Sequence, residues 1–362
     1  MRVLRFIGFL AALLIPACLV AGVYLGGWYN FSALVFSFVM IPAIDQLIGL
    51  DTSNVSPQEE KKVSEVFYYR FVTYLWTYLQ VGLLGWAAYI VAHGYLQTPT
   101  DWLGFTLSCG VITGGVGITV AHELGHKKSK LEQFYSQVLL MTVCYMHFFI
   151  EHNRGHHVQV ATEADPATAR RGEGFYRFWI RSVFDGYRHA WHLERQSLQR
   201  KGLGVFHWRN QMIWFTILPL VFCGLLVALF ASTAVAAIAI TSLFFAQSII
   251  AFTLLELVNY IEHYGILRRK LPSGEYERVN PMHSWNASHL VSNFFLFQLQ
   301  RHSDHHAYAH KRYQVLKHYD ESPQLPYGYP TMILLALLPP VWFRFMHPRL
   351  EQWEKNVYRV AR

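Results

Sequence analysis

Long apolar stretches alternate with shorter polar connections along most of the chain. An α-helix rises about 1.5 Å per residue, so about 20 apolar residues are needed to cross a hydrocarbon core of about 30 Å. Six stretches meet this requirement, and they run from about 3 to 27, 31 to 50, 66 to 93, 101 to 121, 212 to 231 and 234 to 261. The pattern predicts an all-α integral membrane protein with about six transmembrane helices.

The first apolar stretch has a second interpretation. Arg2 and Arg5 precede it, and residues 15–18 (Ile-Pro-Ala-Cys) resemble a lipoprotein cleavage box, so the stretch could be a signal peptide. The apolar run continues to Tyr29, which is too long for the core of a signal peptide. We therefore interpret it as the first span.

Composition supports a membrane protein that also has a substantial polar portion. Hydrophobic residues make up 53% of the chain and charged residues only 15%, compared with about 25% charged residues in typical soluble domains. These values exclude disordered, collagen-like and disulfide-scaffold proteins. The four cysteines lie in apolar runs without metal-binding or disulfide spacing, so we expect them to be small buried hydrophobic residues.

Charged residues predict the orientation of the helices. The connections within the first, second and third pairs of stretches contain no Lys or Arg, whereas Lys61, Lys62 and many later basic residues lie in the other connections. The positive-inside rule then places those connections and both termini in the cytoplasm. The net charge of +8 fits this bias, and no basic repeat or RNA-binding motif supports a nucleic-acid partner.

Two further apolar pieces, 134–150 and 331–346, are marginal for crossing a membrane. We expect both to lie at the cytoplasmic interface as helices or hairpins, because a crossing would move a basic segment to the outside. The predicted organisation is 1–121 with four transmembrane helices, 122–211 as a cytoplasmic segment with an interfacial helix, 212–263 with two more spans, and 264–362 as a cytoplasmic helical cap with an interfacial apolar segment.

Nine of the 19 histidines fall into four clusters. They are His122 and His126, then His152, His156 and His157, then His263, and finally His302, His305 and His306. Spacings of three and four residues place side chains on one face of a helix. One zinc ion needs three or four ligands, so nine candidates predict a two-metal site. The span count supports this site, because it brings all four clusters to the cytoplasmic side.

The first cluster alone also matches a different site. His122, Glu123 and His126 form HExxH, the zinc-protease pattern in which the glutamate is the general base. Iron held by neutral imidazoles suits O2 chemistry, whereas two zinc ions would suit hydrolysis. Spacing does not name the metal, but the membrane setting favours an apolar substrate and oxidative chemistry. A non-enzymatic membrane metal carrier is a further interpretation.

Glycines are frequent in the fourth stretch. They are Gly104, Gly110, Gly114, Gly115 and Gly117. Gly110 and Gly114 have the GxxxG spacing that lets helices approach closely, and we favour this packing role. The alternative is that missing side chains leave room for an apolar substrate tunnel.

The amino-acid sequences of the four clusters resemble those of a known family. HELGHK from His122, EHNRGHH from Glu151, NYIEHYG from Asn259 and LQRHSDHH from Leu299 are similar to the membrane-bound alkane 1-monooxygenases, which belong to the integral-membrane di-iron desaturases and hydroxylases. Residues 161–170 also resemble that family. The resemblance implies two non-haem iron ions held by the nine clustered histidines, O2 as the oxidant, and hydroxylation of the terminal methyl group of a medium-chain n-alkane to a primary alcohol.

The resemblance also implies an electron donor. Hydroxylation consumes two external electrons, and the chain has no flavin, haem or rubredoxin-type CxxC motif. The family uses rubredoxin, an acidic protein reduced by rubredoxin reductase, and basic clusters could steer it. These clusters are Lys127-Lys128, Arg170-Arg171, Arg268-Arg269-Lys270 and Lys311-Arg312. Simple topological bias explains the same residues.

Four residues near the clusters are candidates to orient the ligands or complete the metal sites. They are Glu256, Asn259, Glu262 and Asp304. For the acids, salt bridges to nearby basic residues are the alternative. A related di-iron enzyme, such as a xylene-type methyl hydroxylase or a fatty acyl desaturase, is the alternative for the whole chain.

Overall fold

The computed structural model describes residues 6–355 in full and the backbone of residues 356–360. This part of the chain is helical and contains no β-strand. In chain order the helices are α1 (Phe6–Leu25), α2 (Gly27–Ile48), α3 (Pro57–Glu65), α4 (Phe67–Ala92), α5 (Pro99–Gly125), α6 (Lys130–Met141), α7 (148–159), α8 (Phe175–Gln199), α9 (Gln211–Phe230), α10 (Ala234–His263), α11 (Leu290–Phe295), α12 (His302–Ala307), α13 (Tyr329–Ala336) and α14 (Pro339–Val360).

The six predicted spans are confirmed as helices long and apolar enough to cross a membrane: α1, α2, α4, α5, α9 and α10. Positions 3–5 of the first predicted span, its two preceding arginines, and 361–362 lie outside the described residues. The fourth span, α5, begins earlier than predicted because Thr98 and Asp101 form a capping box at its N-terminus. It also continues past 121 to Gly125, so that His122 lies in its last turn.

The two apolar pieces that are too short to span are helical, as predicted, and neither is among the candidate spans. Residues 134–150 comprise the end of α6, a turn and the start of α7, and residues 331–346 comprise most of α13 and the start of α14. Pro339 opens α14, a position where the missing N–H costs no helical hydrogen bond. Their location at a membrane interface stays a prediction.

Glycines let α5 pack closely against its neighbours. A Cβ atom on Gly114 would lie 2.6 Å from Ala251 Cα, and one on Gly110 would lie 2.5 Å from Ile250 Cβ. The predicted packing role is therefore confirmed for both positions. Gly115 differs, because a Cβ atom there would meet nothing within 4 Å.

The polar segments after α5 and after α10 share a second apolar core. Tyr260 of α10 packs between Phe178 of α8 and Trp342 of α14, with ring centroids 5.3 and 5.2 Å apart. Arg181 of α8 donates to Glu173 and to the carbonyl of Thr168, which fixes the loop that follows α7. This packing holds α7 and α12 against the C-terminal ends of α5 and α10.

Candidate metal centre

The nine clustered histidines meet in two adjacent groups. In each group, one nitrogen of every ring lies within 4.8 Å of the corresponding nitrogens of the others. The first group is His122, His126, His152, His157 and His305, and the second is His156, His263, His302 and His306. Both α7 and α12 contribute to both groups, so the two groups lie side by side.

The local form of each helix decides which histidines share a group. His122 and His126 on α5, and His302 and His306 on α12, are four residues apart and face the same group, as helical spacing predicts. In α7 the i, i+4 expectation for His152 and His156 is wrong, because residues 152–156 form a π-helical turn. The wider turn aligns residues five apart, so His152 and His157 share a group and His156 joins the other.

The ring nitrogens converge as ligands of a cation would. Six Nε2–Nε2 distances lie between 2.8 and 3.3 Å. Two nitrogens that are each about 2.1 Å from one ion, at right angles around it, would lie about 3 Å apart. The donor set therefore fits a metal ion in each group.

Burial favours the neutral form of most of these imidazoles. Desolvation, followed by repulsion from neighbouring imidazoles, lowers the pKa of six of them well below the usual range of histidine: His126, His152, His157, His302, His305 and His306. A neutral imidazole has a lone pair on one ring nitrogen, and this is the form that binds metals. Clustered histidines with such low proton affinity are typical of metal sites.

Asp165 orients one of the histidines and was not among the predicted site residues. His156 Nδ1 donates to Asp165 Oδ2 at 2.9 Å, which leaves the lone pair of Nε2 directed at the second group. Burial alone would lower the pKa of His156, but the charge and hydrogen bond of Asp165 raise it. Thr168 Oγ1 and the Ala167 amide donate to the carboxylate and hold it in place. The signal in the sequence was its position in residues 161–170, the segment after the second cluster that resembles the family.

Of the predicted carboxylates Glu262 and Asp304, one adjoins the second histidine group and the other is held in an ion pair. Glu262 Oε2 lies 3.1 Å from His302 Nε2, so this carboxylate adjoins the second group and is placed to complete it. Asp304 instead accepts from Lys311 Nζ at 3.0 Å and from Tyr319 Oη at 2.8 Å. For Asp304 the salt-bridge alternative is confirmed, and its role is to hold α12.

Glu123, the predicted general base of a zinc protease, is engaged elsewhere. Its carboxylate lies 2.9 Å from Lys127 Nζ and accepts from the Tyr313 amide at 3.3 Å. Both Glu123 and Lys127 are buried. An ion-paired carboxylate is a poor base, and the adjacent histidines belong to a group of five rather than to a three-ligand protease site.

A largely apolar cavity opens onto both histidine groups. Its volume is about 70 Å³, and His122, His152, Glu262 and His302 form part of its wall. The remaining wall comes mostly from apolar residues of α1, α2, α5, α10 and α11. Gly115 lines this cavity, so the tunnel interpretation applies to that glycine.

Asn259 and Glu256 lie on the α10 side of this region. Asn259 lines the cavity. Glu256 accepts a hydrogen bond from Tyr145 Oη at 2.8 Å and belongs to neither histidine group. The structure therefore places Asn259 at the cavity and Glu256 behind it.

Comparison with known proteins assigns the chain to a family. A family model described as fatty acid desaturase matches residues 100–336. Alkane 1-monooxygenase 2 of Pseudomonas aeruginosa is 45% identical over 92% of this chain and 90% of its own length. Alkane 1-monooxygenase of Ectopseudomonas oleovorans is 39% identical over 93% of this chain and 84% of its own length. The xylene/toluene monooxygenase hydroxylase component of Pseudomonas putida is 28% identical over 94% of this chain and 88% of its own length.

Six membrane-spanning candidates and buried histidine groups suited to metal ions define the class, a membrane metalloenzyme. The chain belongs to the fatty acid desaturase family and, within it, to the alkane 1-monooxygenases. The resemblance seen in the sequence is thereby confirmed.

Proposed function

We propose that this protein is a non-haem di-iron monooxygenase that hydroxylates the terminal methyl group of medium-chain n-alkanes. The observation that carries this proposal is the apolar cavity that ends at two groups of buried histidines suited to metal ions. Identities of 38–45% to alkane 1-monooxygenases, compared with 28% to the xylene/toluene enzyme, favour an alkane over an aromatic substrate.

The nine histidines and Glu262 are the residues that would hold two iron ions. Iron bound there supplies the redox chemistry that activates O2. The overall reaction takes an alkane, O2, two electrons and two protons, and it yields a primary alcohol and water. One oxygen atom enters the C–H bond and the other leaves as water.

The protein itself positions the substrate. Apolar walls bind the alkane chain and exclude water, which strengthens the electrostatic interactions at the histidine end. A terminal C–H bond is the strongest in the molecule, so only geometry can select it. Because the histidines line just one part of the cavity wall, an alkane lying along α5 presents its end to them.

We propose rubredoxin, reduced by rubredoxin reductase, as the electron donor. Several predicted docking residues are engaged within the chain, because Lys127 pairs with Glu123 and Lys311 pairs with Asp304. The exposed basic residues that remain available include Lys128, Arg170 and Lys270. These exposed charges are the ones suited to steer an acidic partner.

The membrane orientation is part of the same proposal. With the loop charges facing inward, the histidine ends of α5 and α10 lie on the cytoplasmic side of a bacterial inner membrane. The segments 122–211 and 264–362 then form the cytoplasmic part, where a soluble electron donor reaches the site. Substrate enters from membrane lipid.

The test is conversion of octane by the purified, detergent-solubilised protein with rubredoxin and its reductase. We expect 1-octanol, dependent on O2, and its loss in His305→Ala. His192→Ala is the matched control, because His192 is exposed on α8 and should leave turnover unchanged. Conversion of xylene or of fatty acyl substrates without octane turnover would overturn the alkane assignment, and zinc-dependent peptide hydrolysis would overturn the oxidative chemistry.

A further inference from the structure

A second, smaller cavity lies next to the large one and is lined by polar side chains. Its wall includes Tyr145, Glu151, Ser182, Glu256 and Asn259. Its volume of about 10 Å³ is close to what a single buried water molecule requires. Several hydrogen-bonding groups face one water-sized space, and these are the conditions under which buried water is bound.

Glu256 is the unusual member of this set. It lies in the apolar helix α10 and is 2% exposed. A carboxyl group in a membrane helix is costly unless it has a partner or a function. Tyr145 Oη donates to it at 2.8 Å, and the side chains of Ser182 and Asn259 also interact with it. Among the described residues no basic side chain pairs with Glu256, so a salt bridge does not explain it.

The small cavity borders the proposed reaction site. Phe148 and Asn259 line both cavities, so one layer of side chains separates them. On the outer side Glu151 accepts from His189 Nδ1 at 3.3 Å, and the His189 side chain is 18% exposed. Polar groups therefore extend from the protein surface to the wall of the large cavity.

The proposed reaction needs a series of polar groups that can carry protons to the large cavity. Each turnover takes up two protons as the O–O bond breaks and one oxygen atom leaves as water. The wall of the large cavity is largely apolar, and neutral imidazoles that bind a metal use the lone pair that would otherwise exchange a proton. Protons must reach the oxygen atoms through a group of another kind.

We propose that Glu256, together with Tyr145 and a water molecule in the small cavity, delivers protons to the oxygen-reducing site past Asn259. This role rests on the proposed monooxygenase function. The carboxylic acid gives its proton towards the large cavity and is reprotonated through the water, which regains its proton from bulk solvent on the side of His189. The two electrons come from the external donor. Tyr145, His147 and Glu151 are the titratable groups that face the cavity. We assign proton delivery to Glu256 rather than to Glu151, because Glu256 interacts with Asn259, which lines both cavities.

The test compares Glu256→Gln and Tyr145→Phe with the wild type in octane hydroxylation. Gln has the same size and hydrogen-bonding reach but carries no proton, so we expect alcohol formation to fall at least about tenfold. Iron content and the KM for octane should stay unchanged, hydrogen peroxide release per O2 consumed should rise, and the solvent deuterium isotope effect should increase. Asp185→Asn is the control, since it removes a carboxylate that is partly exposed on α8 and pairs with Arg188.

A measurement on the resting protein supplies a readout that is independent of turnover. The infrared band of the protonated Glu256 carboxyl group, identified by its loss in Glu256→Gln, should exchange with deuterium more slowly in Tyr145→Phe. A fully coupled Glu256→Gln enzyme with normal isotope effects would overturn the proposal, as would a loss of iron that matches the loss of activity. If the wild type itself forms no alcohol, the proposed function fails first and this role fails with it.

Discussion

At the scale of single residues, Asp165 shows how the protein fixes a ligand. The hydrogen bond from His156 Nδ1 to Asp165 selects one tautomer and one ring orientation. Thr168 in turn donates to the carboxylate at 2.6 Å. Carboxylate partners of this kind make the histidine a stronger ligand, and their removal commonly costs 10–100-fold in metal affinity.

We therefore expect Asp165→Asn to weaken metal binding by about 10–100-fold while the fold is retained. The amide keeps the shape of the side chain but loses the charge that strengthens the His156 ligand. Competition with a chelator, followed by analysis of the metal that remains bound, measures this effect. Asp185→Asn is the control, because Asp185 is partly exposed on α8 and pairs with Arg188. Equal metal retention in both variants would remove the assigned role of Asp165.

A substitution at Gly115 tests whether the large cavity binds the alkane. A Cβ atom there meets nothing within 4 Å, and Gly115 lines the cavity, so we expect Gly115→Leu to keep the fold and to shorten the space for the chain. We expect the ratio of kcat/KM for dodecane to that for octane to fall by about tenfold. Gly82→Leu is the control, since Gly82 also has free space around it but does not line the cavity. An unchanged ratio in Gly115→Leu would place the alkane elsewhere.

The sequence predicts the identity of the candidate ligands better than their arrangement. Spacing within the clusters selects eight of the nine histidines that the structure brings together, and the position of His263 at the end of the sixth span adds the ninth. It does not predict that His156 and His157 belong to different groups, since a π-helical turn has no reliable sequence signature. Asp165 is missed because a loop, rather than helical periodicity, brings it to His156.

At the scale of elements, buried ion pairs tie α12 and its loop to α5. Lys127 at the end of α5 pairs with Glu123 and also donates to the Lys311 carbonyl, while Lys311 pairs with Asp304. Arg312 pairs with Glu132 of α6 at 2.9 Å. Removing one partner of a buried pair leaves an uncompensated charge, whereas removing both partners is often tolerated.

Lys127→Met should therefore lower the free energy of unfolding by about 3–5 kcal/mol. The double variant Glu123→Gln with Lys127→Met has no buried charge at this position, and we expect it to recover most of that loss. Thermal unfolding in detergent, followed by tryptophan fluorescence, measures both. The double variant should also keep hydroxylation activity, whereas a protease with Glu123 as its base would lose all hydrolysis in it. A double variant as unstable as Lys127→Met would argue against the ion pair as the cause.

Element boundaries were predictable where the physical cause is local. The length of each apolar run set the six spans to within a few residues. The end of α5 was predicted too early, because apolarity ends at 121 whereas backbone hydrogen bonding continues through the histidine pair to Gly125. The interior packing of α5 followed from its GxxxG spacing, but which glycine faces the cavity depends on neighbouring helices and could not be read from α5 alone.

At the scale of the whole molecule, the excess of positive charge is the feature that the fold itself does not explain. The chain carries a net charge of +8, and exposed basic residues lie in segments that follow α5, α7 and α10. Membrane topology and attraction of an acidic donor both account for this charge. The two explanations differ, because only attraction of an acidic donor makes the rate of reduction depend on salt concentration.

If exposed charge steers rubredoxin, the rate of reduction by rubredoxin should fall by about tenfold or more as ionic strength rises, because the Debye length shortens to about 10 Å at 0.1 M. Lys270→Glu should slow reduction at low salt, since Lys270 is exposed after α10. Lys61→Glu is the control, an exposed position on the separate helix α3. Stopped-flow reduction measures these rates. Indifference to salt would leave topology as the explanation of the charge.

The central claim is that each of the two histidine groups holds one iron ion, and metal analysis of the purified protein tests it most directly. We expect about two iron ions per chain in the wild type, one for each group. His305→Ala in the first group and His302→Ala in the second should each lower the iron content towards one, while His192→Ala should leave it at two. One zinc ion per chain, with no loss of metal in the His302 and His305 variants, would contradict the di-iron site.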